Sequence, residues 1–328
     1  MRRLPFLPVL LGALLLCLGS IFVAALLGER TISVAAAWQE LLHHGETVWS
    51  ARLPRILAAA LVGAALAVAG VGLQGLTGNP LADPYLVGVA SGASVGVGVG
   101  VLVGIVDLPG QPLLSLLALA CALLATGLVF ALSRSERQLS LSGFLLAGVV
   151  VGTFLSAIVN LLLTLAGQQQ SQILQKLLGY LELTDRDWPQ IAVLAVVTSL
   201  GTFAMARCGK GLDAMAFGEA TARSVGVEVE RFKLGVLALI ALLTASAVAV
   251  SGVIGFVGLV VPHLARALIG PPHRPLVPVS ALLGAALLVL ADQLSRSVLP
   301  DKLLPIGVIT AILGAPFFAF LLRRQLAT

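Results

Sequence analysis

The sequence ILAAALVGAALAVAGVGLQGL, residues 56–76, contains no charged side chain. Because a helix needs about 20 apolar residues to cross a hydrocarbon layer about 30 Å thick, this stretch predicts a membrane-spanning helix. The rest of the chain has the same character: 59% of its 328 residues are hydrophobic, and its mean hydropathy is +1.06. Charged residues make up 11%, compared with about 25% in soluble domains. This composition excludes an ordinary cytosolic enzyme, a nucleic-acid-binding protein and a disordered chain.

Similar apolar runs on both sides of this stretch predict an all-α polytopic membrane protein with about ten transmembrane helices. The predicted spans are Leu4–Gly28, Ile56–Leu76, Leu86–Val106, Leu113–Leu132, Gly143–Ala166, Pro189–Ala206, Leu234–Val250, Ile254–Ile269, Leu276–Ala291 and Leu303–Leu322. Ten helices of about 20 residues leave room only for short connections, so residues 1–328 are expected to form a single transmembrane domain.

The eighth span is unusual because the uncharged run Leu234–Ala265 is too long for one helix and short for two. We expect the break at Ser251-Gly252. The element that follows should be short or partly re-entrant, which is tolerated only where protein rather than lipid surrounds the backbone.

The distribution of basic residues predicts the orientation of the bundle. With ten spans, both termini lie on one side of the membrane. The connections and tails on that side hold 13 of the 20 Lys and Arg residues, and the other side holds seven. The positive-inside rule therefore places both termini in the cytoplasm.

The sequence does not contain the residues that an enzyme or an ion-driven pump would use. It has no nucleotide-binding loop, and the nearest fragment, Gly209-Lys210-Gly211, has the wrong residues on both sides. Three widely spaced cysteines, Cys17, Cys121 and Cys208, indicate neither a disulfide framework nor a metal site. No Asp or Glu lies within a predicted span, and we treat Asp292, directly after the ninth span, as the nearest case. The energy for transport is therefore expected to come from another polypeptide.

Glycines recur at every fourth position of the third span, at Gly88, Gly92, Gly96, Gly100 and Gly104. On a helix this spacing forms a smooth stripe along which a second helix can approach closely. The same region matches G-x-S-x-G, but a hydrolase nucleophile needs a strand-to-helix turn rather than an apolar run. We therefore interpret the glycines as packing residues.

Two arginines precede the second span on the predicted outer side, in Arg52-Leu53-Pro54-Arg55. Their charge opposes both the positive-inside rule and the dipole of the helix that follows. They either anchor lipid phosphates or form a receptor for carboxylates of an external partner, since Arg binds carboxylates through paired hydrogen bonds. Arg296, after the ninth span, is predicted on the same face.

Two apolar or turn-like segments are predicted near the inner mouth. The connection GNPLADP, residues 78–84, contains two prolines and a glycine, which prevent a continuous helix. It is either a plain connecting turn or a structured constriction. In the second segment, Gly252–Arg266, glycines recur at helical spacing and Pro262 is expected to kink or end the helix. We interpret that segment, including His263, as helix packing.

The predicted inner loop Arg207–Lys233 holds nine charges in 27 residues. A short helix is predicted within it, at Gly218-Glu219-Ala220-Thr221-Ala222-Arg223-Ser224-Val225-Gly226. Glu219 pairs with Arg223 one turn later, and Gly226 supplies a left-handed C-terminal cap. A helix too short to be stable alone indicates a surface for a partner protein, and the alternative is a solvated loop.

Together these segments resemble the permease subunits of type II ABC importers for iron–siderophores, haem and vitamin B12, the FecCD and vitamin B12 permease-like family. The resemblance covers about residues 5–324 and rests on the Arg-Leu-Pro-Arg sequence, the NPLADP turn, Gly218–Gly226 and Gly255–Arg266. It implies a non-catalytic, pore-forming subunit in the bacterial inner membrane, with ten helices per subunit and two subunits per pore. It also implies that two cytoplasmic ATPases hold ATP and Mg²⁺, while this chain binds no cofactor.

The resemblance implies two partner surfaces. Arg52, Arg55 and Arg296 would contact glutamates on the two lobes of a periplasmic substrate-binding protein. The helix Gly218–Gly226 would fit into a groove of the ATPase. The outer segment Lys176–Trp188 departs from the family, because its acidic residues would alter the docking of the binding protein.

The resemblance also implies a cytoplasmic gate. Asn79 and Leu81, after the second span, would form one part of it, and Leu141 and Ser142, before the fifth span, would form another. The fifth span would line the pathway, where Asn160 either faces the pore or bonds to a neighbouring helix.

The mechanism implied by the resemblance is ATP-driven alternating access around an apolar channel that receives cargo from the binding protein. Ferric siderophore ranks first as cargo, then haem, then cobalamin, and two identical permease chains are favoured over two related ones. The alternatives are a self-sufficient ion-coupled secondary transporter, which would need an ion site near Asp292 or Asn160, and a structural scaffold without flux.

Overall fold

The fold is known from a computed structural model that describes residues 4–27, 39–40, 43, 46–105, 113–135, 138–139, 141–181, 183, 185–298 and 304–326. Twelve α-helices make up most of this described part. They are α1 (Phe6–Leu26), α2 (Leu53–Thr77), α3 (Val89–Leu102), α4 (Leu113–Ser133), α5 (Leu141–Leu165), α6 (Gln170–Leu177), α7 (Trp188–Met215), α8 (Glu219–Ser224), α9 (Val229–Ser251), α10 (Val257–Ile269), α11 (His273–Ser297) and α12 (Ile306–Leu326).

Smaller elements connect these helices. A π-helical turn, Glu46–Arg52, leads into α2, and single 3-10 turns lie at Pro84–Val87, Gly167–Gln169 and Asp185–Asp187. Between α4 and α5, β1 (Arg134–Ser135) pairs antiparallel with β2 (Gln138–Leu139). Neither this ladder nor α6 was predicted from the sequence.

The predicted fold class is confirmed, since ten of the helices correspond to the ten predicted spans. Within the described residues, seven helices are long and apolar enough to cross a membrane, and α3, α10 and α12 contain shorter apolar segments. The remaining two helices, α6 and α8, lie in connections. We call the end of the bundle that carries α8 the inner end and the opposite end the outer end.

The sixth span is longer than predicted, because α7 continues past Ala206 to Met215. Arg207 and Lys210 therefore lie on a helix rather than in a loop. Charged side chains end the apolar pattern without ending the helix, since long basic side chains reach water from a helix end. The predicted loop Arg207–Lys233 is correspondingly wrong in its bounds, and the connection between α7 and α9 comprises residues 216–228.

Helix α2 lies at the centre of the bundle and is buried along most of its length. Its many Ala and Gly residues let neighbouring backbones approach closely. A Cβ atom at Gly63 would collide with the carbonyl oxygen of Gly284 in α11, and one at Gly70 with that of Gly258 in α10. Because lipid gives helices no hydrophobic reason to associate, such close backbone packing carries much of their association.

Three glycines of the predicted stripe, Gly92, Gly96 and Gly100, pack against α4, whereas Gly104 lies beyond the end of α3, where an added Cβ atom would meet no described atom within 4 Å. A Cβ atom at Gly92 would lie 2.6 Å from the Cβ of Ala125, and one at Gly96 would lie 2.8 Å from the Cα of Ala118. These glycines therefore let the two backbones approach.

The third span begins at Val89, later than the predicted Leu86. Gly88 separates it from the preceding 3-10 turn and has a φ angle of 79°. A residue with a Cβ atom rarely adopts this angle, so the helix starts only after the glycine.

The eighth span has the predicted break, since α9 ends at Ser251 and α10 begins at Val257. Pro262 lies inside α10, which continues to Ile269, so the proline does not end the helix. At 1.5 Å per residue, α10 is about 20 Å long, shorter than a hydrocarbon layer of about 30 Å. Non-helical backbone beside α10 must therefore be satisfied by protein.

Tyr85 satisfies part of that non-helical backbone. Its hydroxyl donates to the carbonyl oxygen of Ile254 at 3.0 Å and accepts from the N–H of Ile254 at 3.1 Å. Ile254 has no exposed surface. The 3-10 turn before α3 and the segment before α10 thus support each other.

Candidate docking, coupling and gate sites

Arg52 joins α1 to α2 at the outer end. Its side chain is buried, and Nη1 donates to the carbonyl oxygens of Ala25 at 2.7 Å and Leu26 at 3.2 Å. These oxygens belong to the last turn of α1, where carbonyls have no partner within the helix and the helix dipole is negative. The guanidinium group therefore caps the C-terminus of α1.

Arg55 and Arg296 meet at the carboxylate of Asp292. From α2, the Nε and Nη2 atoms of Arg55 donate to Oδ1 of Asp292 at 2.9 Å and 2.8 Å. From α11, the Nη2 atom of Arg296 lies 2.9 Å from Oδ2 of Asp292 and 3.0 Å from Oε1 of Gln293. The structure thus joins two of the three predicted docking arginines, and Arg52 lies three residues before Arg55. We call Arg52, Arg55, Asp292 and Arg296 the outer arginine cluster.

The outer arginine cluster is buried and carries a positive net charge. Asp292 is 1% exposed and Arg55 is 9% exposed. One carboxylate bonded to two guanidinium groups neutralises only one of them. Asp292 was predicted at the end of a span, but its bond to Arg55, 237 residues away along the chain, was not predicted. Its one sequence signal was the spacing of four residues to Arg296.

Helix α8 lies within the predicted segment Gly218–Gly226. Arg223 Nη2 lies 3.6 Å from Glu219 Oε2, which is the predicted ion pair. Gly226 has a φ angle of 87°, and its N–H donates to the carbonyl oxygen of Arg223 at 3.0 Å. The N–H of Val227 donates to the carbonyl oxygen of Ala222, also at 3.0 Å. These two bonds form a Schellman cap, which is how a left-handed glycine ends a helix.

Lys233, in the second turn of α9, forms an ion pair with α8. Its side chain is 2% exposed, and Nζ lies 2.6 Å from Glu219 Oε1 and 3.2 Å from Glu230 Oε1. A buried ammonium group is costly unless carboxylates compensate it, and here two do. Lys233 was predicted only as one of the loop charges, and its contact with Glu219 was not predicted.

The residues on either side of α8 expose large apolar side chains. Phe217 is 79% exposed and Val225 is 66% exposed, while Ala222, within α8, is fully buried. We call residues 216–226 the coupling segment. Large apolar side chains that lie outside the spans and in contact with water are typical of protein interfaces.

A second contact ties the inner end of α7 to α11. Oδ1 of Asp213 accepts from the backbone N–H of His273 at 3.0 Å and lies 2.6 Å from its Nδ1. Asp213 therefore caps the N-terminus of α11 from another helix. The Nε2 edge of the His273 ring approaches α2, where a Cβ atom at Gly75 would lie 2.5 Å from Nε2.

The predicted gate turn between α2 and α3 is a structured segment. The Asn79 side-chain oxygen accepts from the N–H of Leu81 at 2.9 Å, and Asp83 accepts from the N–H of Tyr85 at 2.9 Å. Both are turns in which a side chain replaces a backbone acceptor. Burial raises the pKa of the Asp83 carboxyl above its usual value, although the hydrogen bond from Tyr85 opposes this shift. Burial also raises the pKa of the Tyr85 hydroxyl.

Gln74 connects this turn to α10. Its Nε2 atom donates to the carbonyl oxygens of Gly258 at 3.2 Å and Leu259 at 3.3 Å, and lies 3.5 Å from that of Ala82. Its Oε1 accepts from Nη1 of Arg266 at 2.5 Å. The amide is buried, and every one of these contacts reaches outside its own helix.

The other predicted gate residues, Leu141 and Ser142, begin α5. The side chain of Ser142 is exposed and that of Leu141 is partly buried. Both follow the β1–β2 connection, so they lie at the same end of the bundle as the Asn79 turn by the order of the spans.

Asn160 lies on an exposed polar face of α5. Thr153, Ser156, Asn160 and Thr164 are all exposed, and their spacing of three or four residues places them on one side of the helix. The three hydroxyl groups donate to carbonyl oxygens one turn earlier at 2.8–2.9 Å. These bonds reduce the cost of placing hydroxyl groups within a span and leave acceptor positions on the helix surface.

The acidic outer segment is only partly described, since Glu182 and Thr184 lie outside the described residues. Its Asp187 accepts from Nε2 of Gln190 at 2.6 Å, and Gln190 accepts from the hydroxyl of Ser115 in α4 at 3.2 Å. Among the described residues there is no group of three or more His, Cys, Asp and Glu that could hold a metal ion.

Ten apolar helices with a charged cluster at one end and a short exposed helix at the other define a polytopic membrane permease. The chain belongs to the FecCD transport family, whose model matches residues 14–324. It is therefore a multi-pass, non-catalytic permease subunit of an ABC transporter in the bacterial plasma membrane.

Individual relatives agree with this family. The Bacillus subtilis (strain 168) protein named uncharacterized ABC transporter permease YvrB is 42% identical over 322 residues, which is 93% of this chain and 90% of that protein. The cobalamin import permease BtuC of Halobacterium salinarum is 40% identical over 279 residues, 85% of this chain and 73% of its own. A solved structure described as an inward-facing ABC transporter of the metal-chelate type superposes with a TM-score of 0.85 at 30% identity, covering 97% of this chain and 99% of that one.

Proposed function

We propose that this chain is the pore-forming subunit of an ATP-driven importer of metal chelates such as ferric siderophore, haem or cobalamin. Residues 1–328 act as one permease domain, and two identical chains form the pore. Two cytoplasmic ATPases bind at the inner end and hold ATP and Mg²⁺, and a periplasmic binding protein delivers cargo at the outer end. The observation that carries the proposal is the coupling segment, which is exposed to a partner yet bonded to α9 through Lys233.

Coupling to the ATPase uses both properties of this segment. Phe217 and Val225 supply apolar surface for an ATPase groove, and the charged pair of Glu219 and Arg223 orients the helix within it. Because Lys233 bonds to Glu219, a displacement of α8 is passed to α9. The bond between Asp213 and His273 carries the same displacement to α11 and to the end of α2.

The inner gate is formed by the turn that contains Asn79 and Leu81, with Leu141 and Ser142 of the facing span. Gln74 fixes the turn to α10, so the gate moves with that helix when the subunits rock. The exposed polar face of α5 around Asn160 lines the pathway, since hydroxyl and amide groups on a span are costly in contact with lipid.

At the outer end, Arg52, Arg55 and Arg296 form the receptor for acidic residues of the binding protein. The positive net charge of the outer arginine cluster supports this role, since Arg binds carboxylates through paired, charge-assisted hydrogen bonds. The same cluster counts against an ion-coupled secondary transporter. Such a transporter needs a carboxylate that is open to its ion, and Asp292 is bonded to two arginines.

The first experiment is purification of the tagged chain in mild detergent from cells that express its native operon. Mass spectrometry should find an ATPase and a binding protein, and the cargo of that binding protein identifies the substrate. Recovery of the chain alone, under conditions in which a known ABC complex survives, would contradict the proposal.

A second experiment tests the coupling segment in proteoliposomes. Arg223→Glu places two like charges together on α8 and should uncouple ATP hydrolysis from transport, as should Gly218→Pro, which removes the turn before the helix. Arg231→Glu is the matched control, because Arg231 is at least as exposed and makes an ion pair of the same kind with Glu228. Normal coupling in Arg223→Glu and Gly218→Pro would remove the segment from the mechanism.

A further inference from the structure

Asp292 is a buried carboxylate to which the proposed function assigns no task. It is 1% exposed, so it is not placed to meet a partner protein directly. Its contacts are nevertheless with two of the arginines that are proposed to do so. Any contribution of Asp292 to docking must therefore act through those arginines.

The geometry fixes both guanidinium groups relative to each other. Oδ1 of Asp292 accepts from Nε and Nη2 of Arg55, while Oδ2 accepts from Nη2 of Arg296. Gln293 accepts a second bond from the same Nη2 of Arg296 at 3.0 Å. Neither Nη1 atom takes part in these contacts, so each guanidinium group keeps a nitrogen that can donate to an arriving carboxylate.

The two arginines would not keep this arrangement without the carboxylate between them. They come from different helices, and two neighbouring guanidinium groups in a poorly hydrated site repel each other. A long basic side chain that loses its partner moves towards water and regains rotamer freedom. Binding a partner would then require the side chain to be ordered again, which weakens association.

We infer that Asp292, assisted by Gln293, is the positioning residue of the docking site, holding Arg55 and Arg296 in the arrangement that acidic residues of the binding protein recognise. The inference rests on the proposed docking function of these arginines. It adds the requirement that a negative charge, buried among positive charges, strengthens the binding of a negatively charged partner.

This requirement separates positioning from simple charge attraction. Asp292→Asn makes the outer arginine cluster more positive, so attraction alone predicts tighter docking and faster association. Positioning predicts the opposite, because the amide of Asn offers one acceptor oxygen and presents N–H donors to the donors of the arginines. A role confined to stability predicts no change in affinity per folded molecule.

The test measures the affinity of the permease–ATPase complex in nanodiscs for the binding protein that is isolated with it. Asp292→Asn should weaken docking by at least about tenfold. Gln293→Leu leaves the net charge unchanged and should weaken docking by about threefold through its lost bond to Arg296. Arg296→Ala tests the docking site itself, and Glu228→Gln removes one negative charge at the inner end as the matched control, with no expected effect.

The outcomes distinguish the inference from the function on which it rests. If Arg296→Ala weakens docking while Asp292→Asn leaves it unchanged or tightens it, the arginines act through charge alone and the inference is wrong. If Arg296→Ala has no effect, the docking site and the inference both fail. If Asp292→Asn does not fold, Gln293→Leu decides, and unchanged affinity in that variant overturns the positioning role.

Discussion

The outer arginine cluster and the coupling segment are charged regions at opposite ends of the bundle, and they are built in opposite ways. In the cluster, two cations share one carboxylate that is 1% exposed. Beside the coupling segment, one cation of α9, Lys233, bonds to two carboxylates, Glu219 of the segment and Glu230 of α9, whose side chains are 40% and 31% exposed. The excess charge is therefore positive at the outer end, and the spare acceptors face water at the inner end.

The difference shows how burial decides what a charge does. At the outer end Arg55 and Arg296 depend on Asp292, because neither of these buried side chains can obtain full hydration in its place. At the inner end Glu219 and Glu230 can be hydrated if Lys233 is lost, so the ion pairs orient α8 more than they stabilise the fold.

The largest effect on stability is expected at the outer end. Asp292→Ala leaves two buried guanidinium groups without a counter-charge and should lower the free energy of unfolding by about 3–5 kcal/mol. The measurement is reversible unfolding of the purified permease in mixed micelles.

The matched control is Glu228→Ala, which removes a carboxylate from a pair with Arg231 whose side chains are 84% and 69% exposed. The free energy of unfolding should fall by less than about 1 kcal/mol in this variant. Equal losses in the two variants would show that burial does not separate the two regions.

A smaller loss is expected from Lys233→Met at the inner end. The substitution keeps an apolar side chain in a buried position and leaves two carboxylates that are partly hydrated. The free energy of unfolding should therefore fall by about 1–2 kcal/mol. The larger change should be local. Backbone amides of α8 should exchange hydrogen faster, because the helix loses its bond to α9 and is too short to persist alone.

Arg231→Met is the control for this variant, since Arg231 lies on the same helix and its side chain is exposed. Exchange in α8 should be unchanged there. If Lys233→Met also leaves the exchange rates of α8 unchanged, the lysine is not what holds the coupling segment.

Much of the fold could be predicted from the sequence, because uncharged runs of membrane length have few alternatives in lipid. Ten spans, the break at Ser251 and the glycine packing of α3 were predicted in this way. The errors fall where local pattern and tertiary structure differ. Helix α7 continues beyond its apolar run to Met215, and α3 begins only after the turn at Gly88.

The candidate sites were predicted as segments rather than as contacts. Arg55, the Asn79 turn and the helix around Glu219 could be found from residue type and spacing. Their partners could not, because Asp292, Gln74 and Lys233 contact residues 237, 192 and 14 positions away along the chain. A pattern within one helix carries no information about such contacts, which depend on how helices are placed beside one another. The docking, coupling and gate roles of these residues stay predictions.

The smallest effect is expected at Asp83, another carboxylate of the inner end, which has a backbone N–H rather than a cation as its partner. Asp83→Ala removes the cap of the 3-10 turn and should lower the free energy of unfolding by about 1 kcal/mol. Asp83→Asn keeps the acceptor oxygen and should cost nothing near neutral pH. In contrast to Asp292, this site needs an acceptor and does not need a charge.

The pH dependence of Asp83 tests that contrast. Because burial raises the pKa of this carboxyl, the folded protein binds its proton more tightly than the unfolded chain does. The wild-type protein therefore loses stability as the pH rises through the raised pKa, and below the ordinary pKa of about 3.9 the penalty is absent. The stability of Asp83→Asn relative to wild type should thus increase from pH 4 to pH 8. A stability difference between Asp83→Asn and wild type that stays constant over this range would mean that Asp83 is hydrated well enough to ionise freely. The outer and inner ends would then differ less than the burial of their carboxylates suggests.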